Sequence, residues 1–432
     1  MKKAARHLSE IGKRILFIGF SIQIILGVIW MCFNFTNSQK FTVSGGVLYQ
    51  NLILKFETIF PALYLLQLGL ALFAGYHFIH QLKWTGFGSR LSEIWGSLVL
   101  LTFPMAMQCH LAISPYSIVG SLCLLELTFV LKLVRDKACR TVWEVTKGGV
   151  CWLLLSLILP EYIILGGIPL LVGVLFSLRT LLHPVKKLGM VILLLAAFAG
   201  LVTGTTNLTD QEHPFRSKDI AYAVFSRTGW SFLMGDAAYW DQEVYQAVNY
   251  EVMQAYLRPG AMETELKPKL EEYFTEEDFI SFCYERAKVN LSLHSKVIIR
   301  QMTWDGLGYS VTPLILPMQL KGKAYDSASG RNYEIMINHT PSLTKDYVAY
   351  SCWWFGCMLL IGLVCFITDC IQGVHRLKTR GTLSSIFVCA ISLGVVTFFY
   401  TVWTVGMMDY KCTIVANQMW LLGTLSLFRK EA

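Results

Sequence analysis

The chain has 432 residues, of which 54% are apolar and only 15% charged, with a mean hydropathy of +0.49. That composition excludes an ordinary soluble globular domain and predicts a polytopic membrane protein with membrane lipids around it. The formal net charge of +8 does not point to nucleic acid, because the cations form short clusters at the ends of apolar runs and no basic stripe carries interleaved aromatics.

At the start of the chain Lys2, Lys3, Arg6, Lys13 and Arg14 precede an apolar run over 15–33. The run is too long for the core of a signal peptide and is followed by NFTNSQ rather than a small-residue cleavage site, so an uncleaved signal-anchor span is expected. Counting such runs along the chain gives ten candidate spans: 15–34, 58–80, 94–109, 112–131, 149–160, 162–178, 188–206, 348–368, 384–404 and 413–428. The pair at 149–178 is interrupted only by Pro160 and Glu161. As one helix it would be about 45 Å long, against a hydrocarbon core of about 30 Å. Splitting it leaves 20 Lys and Arg on inner segments and three, Lys40, Lys55 and Lys411, on short outer loops. Charge asymmetry therefore favours ten spans in a cell membrane with both termini cytoplasmic, and it turns Glu161 outward.

Between the seventh and eighth spans lies a polar block. Residues 207–346 hold 19 of the 29 acids but 14 of the 37 basic residues, a formal charge of −5 set in a remainder of +13. The expected organisation is all-α integral membrane: spans 1–7 in 1–206, a mainly helical extracytoplasmic domain in 207–346, and spans 8–10 in 347–432. Within the block, Thr275 followed by Glu276, Glu277 and Asp278 is a helix start. Phe279, Phe282, Cys283, Ala287 and Leu291 then recur at helical spacing. A further helix is expected over 238–257, ended by Arg258-Pro259-Gly260, while 312–331, with Pro313 and Pro317, reads as loop. Of twelve cysteines the block contains only Cys283, so no disulfide is expected inside it. Four Asn-x-Ser/Thr sequons occur, at Asn34, Asn207, Asn290 and Asn338. No spacing of Cys and His suggests zinc.

Chemistry is expected at the outer ends of the spans, where a lipid-linked substrate would present its polar head. Glu161, on the Pro-acid hairpin, and Glu57, at the outer start of the second span, are the candidate catalytic carboxylates, each suited to act as a general base or to hold a divalent cation. A plain turn acid and a helix-start acid are the structural alternatives. Asp409 and Lys411 sit before the last span, and Lys411 could meet a phosphate that Asp409 helps to orient. His110, on the hairpin between spans three and four, is a candidate base or acceptor-binding group. Arg227 and Trp230, just after the seventh span, offer a cation and an aromatic platform for sugar or phosphate. Glu126 lies deep in the fourth span, where a carboxyl is either functional or internally paired.

The segments ALYLLQLGLALFAGYHFI, FPMAMQCHLAISPYS, LPEYIILGGIPLL, FSRTGWSFL and GMMDYKC, taken in order, resemble bacterial polytopic proteins of the GT-C glycosyltransferase class, distantly similar to dolichyl-phosphate-mannose protein mannosyltransferases. This resemblance implies transfer of a sugar from a polyprenyl-phosphate donor to an acceptor at the outer face. Such enzymes carry an acid in the loop after the first span, and residues 34–55 here contain none. That departure is the signature of one alternative, a catalytically inactive relative that binds lipid-linked sugars or assists a partner enzyme. A separate alternative, from another class, is a transporter or flippase of such lipids, with Glu126 nearly the only strongly ionisable residue deep in a span.

Overall fold

The computed structural model describes residues 60–82, 115–135, 141–177, 184–208, 215–228 and 266–319, with isolated helical positions between 10 and 25 and at 364, 367 and 371. Among the described residues every regular element is helical and none is a strand. In chain order they are α1 (Phe60–Leu82), α2 (Pro115–Arg135), α3 (Thr141–Ile158), α4 (Tyr162–Leu165), α5 (Gly167–Ser177), α6 (Pro184–Leu208), α7 (Ser217–Thr228), α8 (Lys267–Tyr273) and α9 (Glu276–Gln319).

In the first group α1 packs on α2, and α2 packs on both α3 and α5. Leu68, Ala71, Ala74 and Phe78 recur at helical spacing on the buried face of α1, against a core that includes Val119, Val130 and Leu131 of α2. The opposite face of α1 is also apolar, with Leu65, Leu66, Phe73 and Tyr76 exposed. Leu188, Ile192, Leu193 and Leu195 make a similar exposed apolar face on α6. A helix apolar on all sides is suited to a surrounding that is itself apolar. By length and composition, the stretch Leu188–Thr206 is long and apolar enough to cross a membrane, and the apolar helical stretch Tyr162–Phe176 is shorter.

The run 149–178 is not one helix. α3 ends at Ile158, and Pro160 and Glu161 form a turn before α4 begins. Proline cannot donate to the preceding turn, and its ring disfavours helical geometry in the residue before it. Past the turn the chain comes back along itself. Gly167 lies against the indole of Trp152, and Leu170 Cδ1 lies against Gly148, so successively earlier positions of α3 meet later positions of α5.

In the second group α7 and α8 pack on α9 around Ala221, Tyr222, Phe225, Leu266, Leu270, Phe279, Phe282 and Cys283. Thr275 starts α9 as expected: the Asp278 backbone N–H donates to its Oγ1 at 3.3 Å, and that hydroxyl donates to the Asp278 carboxylate at 2.7 Å. Leu291 is 40% exposed while Asn290 is 5% exposed. A repeat of 3.6 residues counted from Phe279 reaches 290 and not 291, so the asparagine takes the inner position. Asn290 is thereby withdrawn from any role as a glycan acceptor. The loop expected over 312–331 is helical as far as 319. α9 is kinked at His294 (φ −128°, ψ 24°), and the helical stretch after the kink is several turns long before it meets Pro313 and Pro317, whose own φ is helical. The rest of that segment and the helix expected over 238–257 lie outside the described residues.

Candidate functional site

The hairpin between α3 and α5 carries Glu161, and Glu126 of α2 meets it at Gly166, while Arg227 stands on α7 in the second helical group. The backbone groups of the hairpin are paired locally. Tyr162 N–H donates to Leu159 O at 3.0 Å, Ile163 N–H to Pro160 O at 3.0 Å, and both Ile164 and Leu165 N–H to Glu161 O at 3.1 Å. Glu161 has φ −61° and ψ −24° and stands at the N-cap of α4, but its side chain makes no capping bond. The residue is half-buried and its Oε2 is enclosed. This carboxylate is thus held against protein and is not simply a solvated turn acid.

One long-range bond fixes the hairpin. Trp152 Nε1–H of α3 donates to Ile163 O of α4 at 3.1 Å. The returning arm of the hairpin approaches this indole because positions 166 and 167 are glycines. A Cβ at Gly167 would fall 3.0 to 3.2 Å from three atoms of the Trp152 ring. At Gly166 it would meet Trp152 Cδ1 at 3.2 Å and Glu126 Oε2 at 2.9 Å. Glu126 reaches this place from α2. It is 4% exposed, and its Oε1 has no hydrogen-bond partner among the described residues. The sequence singles out Glu126 by depth alone, and its juxtaposition with the hairpin could not be read from spacing. Trp152 and the glycine pair were missed, since a Trp in an apolar run and a Gly-Gly step are each commonplace.

Arg227 occupies the last turn of α7, where a cation is favoured by the helix dipole. It is 9% exposed, and Ser226 and Thr228 beside it are also buried. The start of α7 is joined to the end of α6 by Arg216, which donates to Thr206 O at 3.4 Å. No family model, characterised protein or solved structure matches the chain. Glu57, His110, Trp230, Asp409 and Lys411 lie outside the described residues. Among the described residues no group of three or more His, Cys, Asp and Glu side chains gathers as a metal site. In the second group Cys283 is fully buried, and that burial pushes its thiol from 9.0 up to about 12 against the pull of Lys267. A thiol so held is a packing group and not a nucleophile.

Proposed function

We propose that the chain is a ten-span membrane protein of GT-C-like architecture that transfers a sugar from a polyprenyl-phosphate donor to an acceptor at the outer face. The observation that carries this reading is the reversal at Pro160 and Glu161. It supports the split of 149–178 on which the ten-span charge count depends, and that count turns Glu161 outward. The exposed apolar faces of α1 and α6 are also what lipid-facing helices require.

In this reading the Glu161 carboxylate accepts the proton of an acceptor hydroxyl as that oxygen attacks the anomeric carbon. The bond from the anomeric carbon to the phosphate oxygen breaks, and the electron pair leaves with the polyprenyl phosphate. Arg227, joined by Lys411, offsets the charge on the departing phosphate. Glu57 is the second carboxylate of the reading.

The test is transfer from radiolabelled polyprenyl-phosphate hexoses by membranes containing the protein. Glu161→Gln is expected to lose about a hundredfold or more of the rate, the usual worth of a general base. Full activity in that variant would remove Glu161 from the mechanism. One observation favours a second reading: the segment 34–55 has no acid. A chain that binds these donors tightly and transfers nothing, with or without Glu161, is the binding or accessory relative.

A further inference from the structure

A second polar cluster lies at the other end of the α2–α3 pair, away from the hairpin. Glu144, in the first turn of α3, is 7% exposed. Lys147 Nζ donates to its Oε1 at 3.1 Å, and Lys132 Nζ of α2 stands 3.5 Å from its Oε2. Both ammonium groups lie over the ring of Phe129, at 5.6 and 5.7 Å from its centroid, and Lys147 is also 5.1 Å from that of Trp143. His77 of α1 closes the same patch, its ring 5.7 Å from Phe129.

Among the described residues the cluster is short of negative charge, and its geometry is incomplete: the buried Oε2 of Glu144 has Lys132 3.5 Å away but no hydrogen bond. Two ammonium groups face one carboxylate, which leaves a formal excess of one positive charge. Each ammonium has three N–H donors. Among the described residues the only hydrogen bond from either is that of Lys147 to Glu144. The side chains of Lys132 and Lys147 are 15% and 31% exposed, so both heads are partly withdrawn from water yet open on one side. Nε2 of His77 likewise has no hydrogen-bond partner among the described residues.

The open side is apolar. Val142 and Trp143 are 67% and 61% exposed, and Val150 and Leu153 continue the stripe along α3 at helical spacing. A monoanion with an apolar body would complete both halves: its phosphate oxygens meet the ammonium groups while its tail lies along the stripe. We propose that this corner is a headgroup site for an anionic phospholipid, with Lys132 and Lys147 holding the phosphate and Trp143 set at the interface. The proposal rests on the membrane-spanning reading above, in which this end faces the cytoplasm.

The experiment is thermal unfolding of the purified full-length protein in detergent with added phosphatidylglycerol, phosphatidylcholine or inorganic phosphate. Phosphatidylglycerol alone is expected to raise the midpoint, by on the order of 5 °C at saturation. Lys132→Gln and Lys147→Gln are each expected to weaken the half-saturating concentration about fivefold. Because those variants strand Glu144 and can misfold, Glu144→Gln provides the independent check. It keeps both cations and removes the competing carboxylate, so phosphatidylglycerol is expected to bind about fivefold more tightly. An ion triad that is only structural would lose stability in Glu144→Gln with no change in lipid response, and that result would overturn the proposal. An equal response to phosphatidylcholine, or to inorganic phosphate, would also overturn it. A chain recovered in the soluble fraction would fail the membrane reading itself; one that stays in membranes but ignores phosphatidylglycerol fails this site alone.

Discussion

At the scale of single residues, the tightest constraint is the meeting of Gly166 with Glu126 and Trp152. A methyl group at 166 would come within 2.9 Å of the Glu126 carboxylate and 3.2 Å of the indole. Gly166→Ala is therefore expected to destabilise the protein by about 1–3 kcal/mol, the cost of forcing side chains off their rotamers in a filled space. Adding Glu126→Ala should recover part of that loss, because the shorter side chain vacates the contested volume. A cycle of the two single variants and the double variant, followed by thermal midpoint, measures the coupling. Additive effects would mean that the carboxylate does not stand where Gly166 meets it. The acid at 161 and the proline before it were legible because a turn is written in adjacent residues. The partner of Trp152 was not, since it is a backbone carbonyl that only the folded hairpin delivers.

At the scale of elements, the second helical group shows a polar bond set inside an apolar core. Lys267 Nζ donates to the Asp219 carboxylate at 2.7 Å, with the two side chains 4% and 8% exposed. The same ammonium lies 5.8 Å from the Tyr222 ring centroid. The pair ties α8 to α7 across 48 residues of sequence. Removing one partner leaves the other charge buried, so Lys267→Met is expected to cost about 3–5 kcal/mol. Lys267→Met combined with Asp219→Leu should be less damaging, because this buried ion pair is then replaced by apolar groups. Resistance of the 207–346 block to limited proteolysis across these variants would report the difference. Equal damage in the single and double variants would show that the ion pair does not anchor α8. The start of α9 was legible, since Thr275 and the acids after it act within one turn. Its far end was misread, because proline is a strong local signal that a long helix overrode.

At the scale of the whole molecule, the sidedness of the chain follows from charge and from the number of crossings. In the ten-span reading proposed above, seven spans before the polar block and three after it would put that block outside and both termini inside. A reporter active only outside the cytoplasm is expected to work when inserted near residue 212, within the block. The same reporter fused after residue 432 is expected to stay silent. Activity at the second position and silence at the first would reverse the topology and withdraw Glu161 from the outer face.

The sequence by itself determined the features that arise between near neighbours. These are the helical character of the described apolar runs, the reversal at Pro160 and Glu161, the capped start at Thr275, and the acidic block within a basic body. Each depends on residues within a turn or two, where geometry is local. Only the tertiary structure decided which polar groups are buried and what they face. Glu126 stands against Gly166 in the turn between α4 and α5, Glu144 is held between Lys132 and Lys147, and Asp219 is paired with Lys267. Glu144 and Lys147 are three apart on one helix, a spacing the sequence does contain, but the burial of these groups and the partners Lys132 and Lys267 supply depend on distances across packed helices.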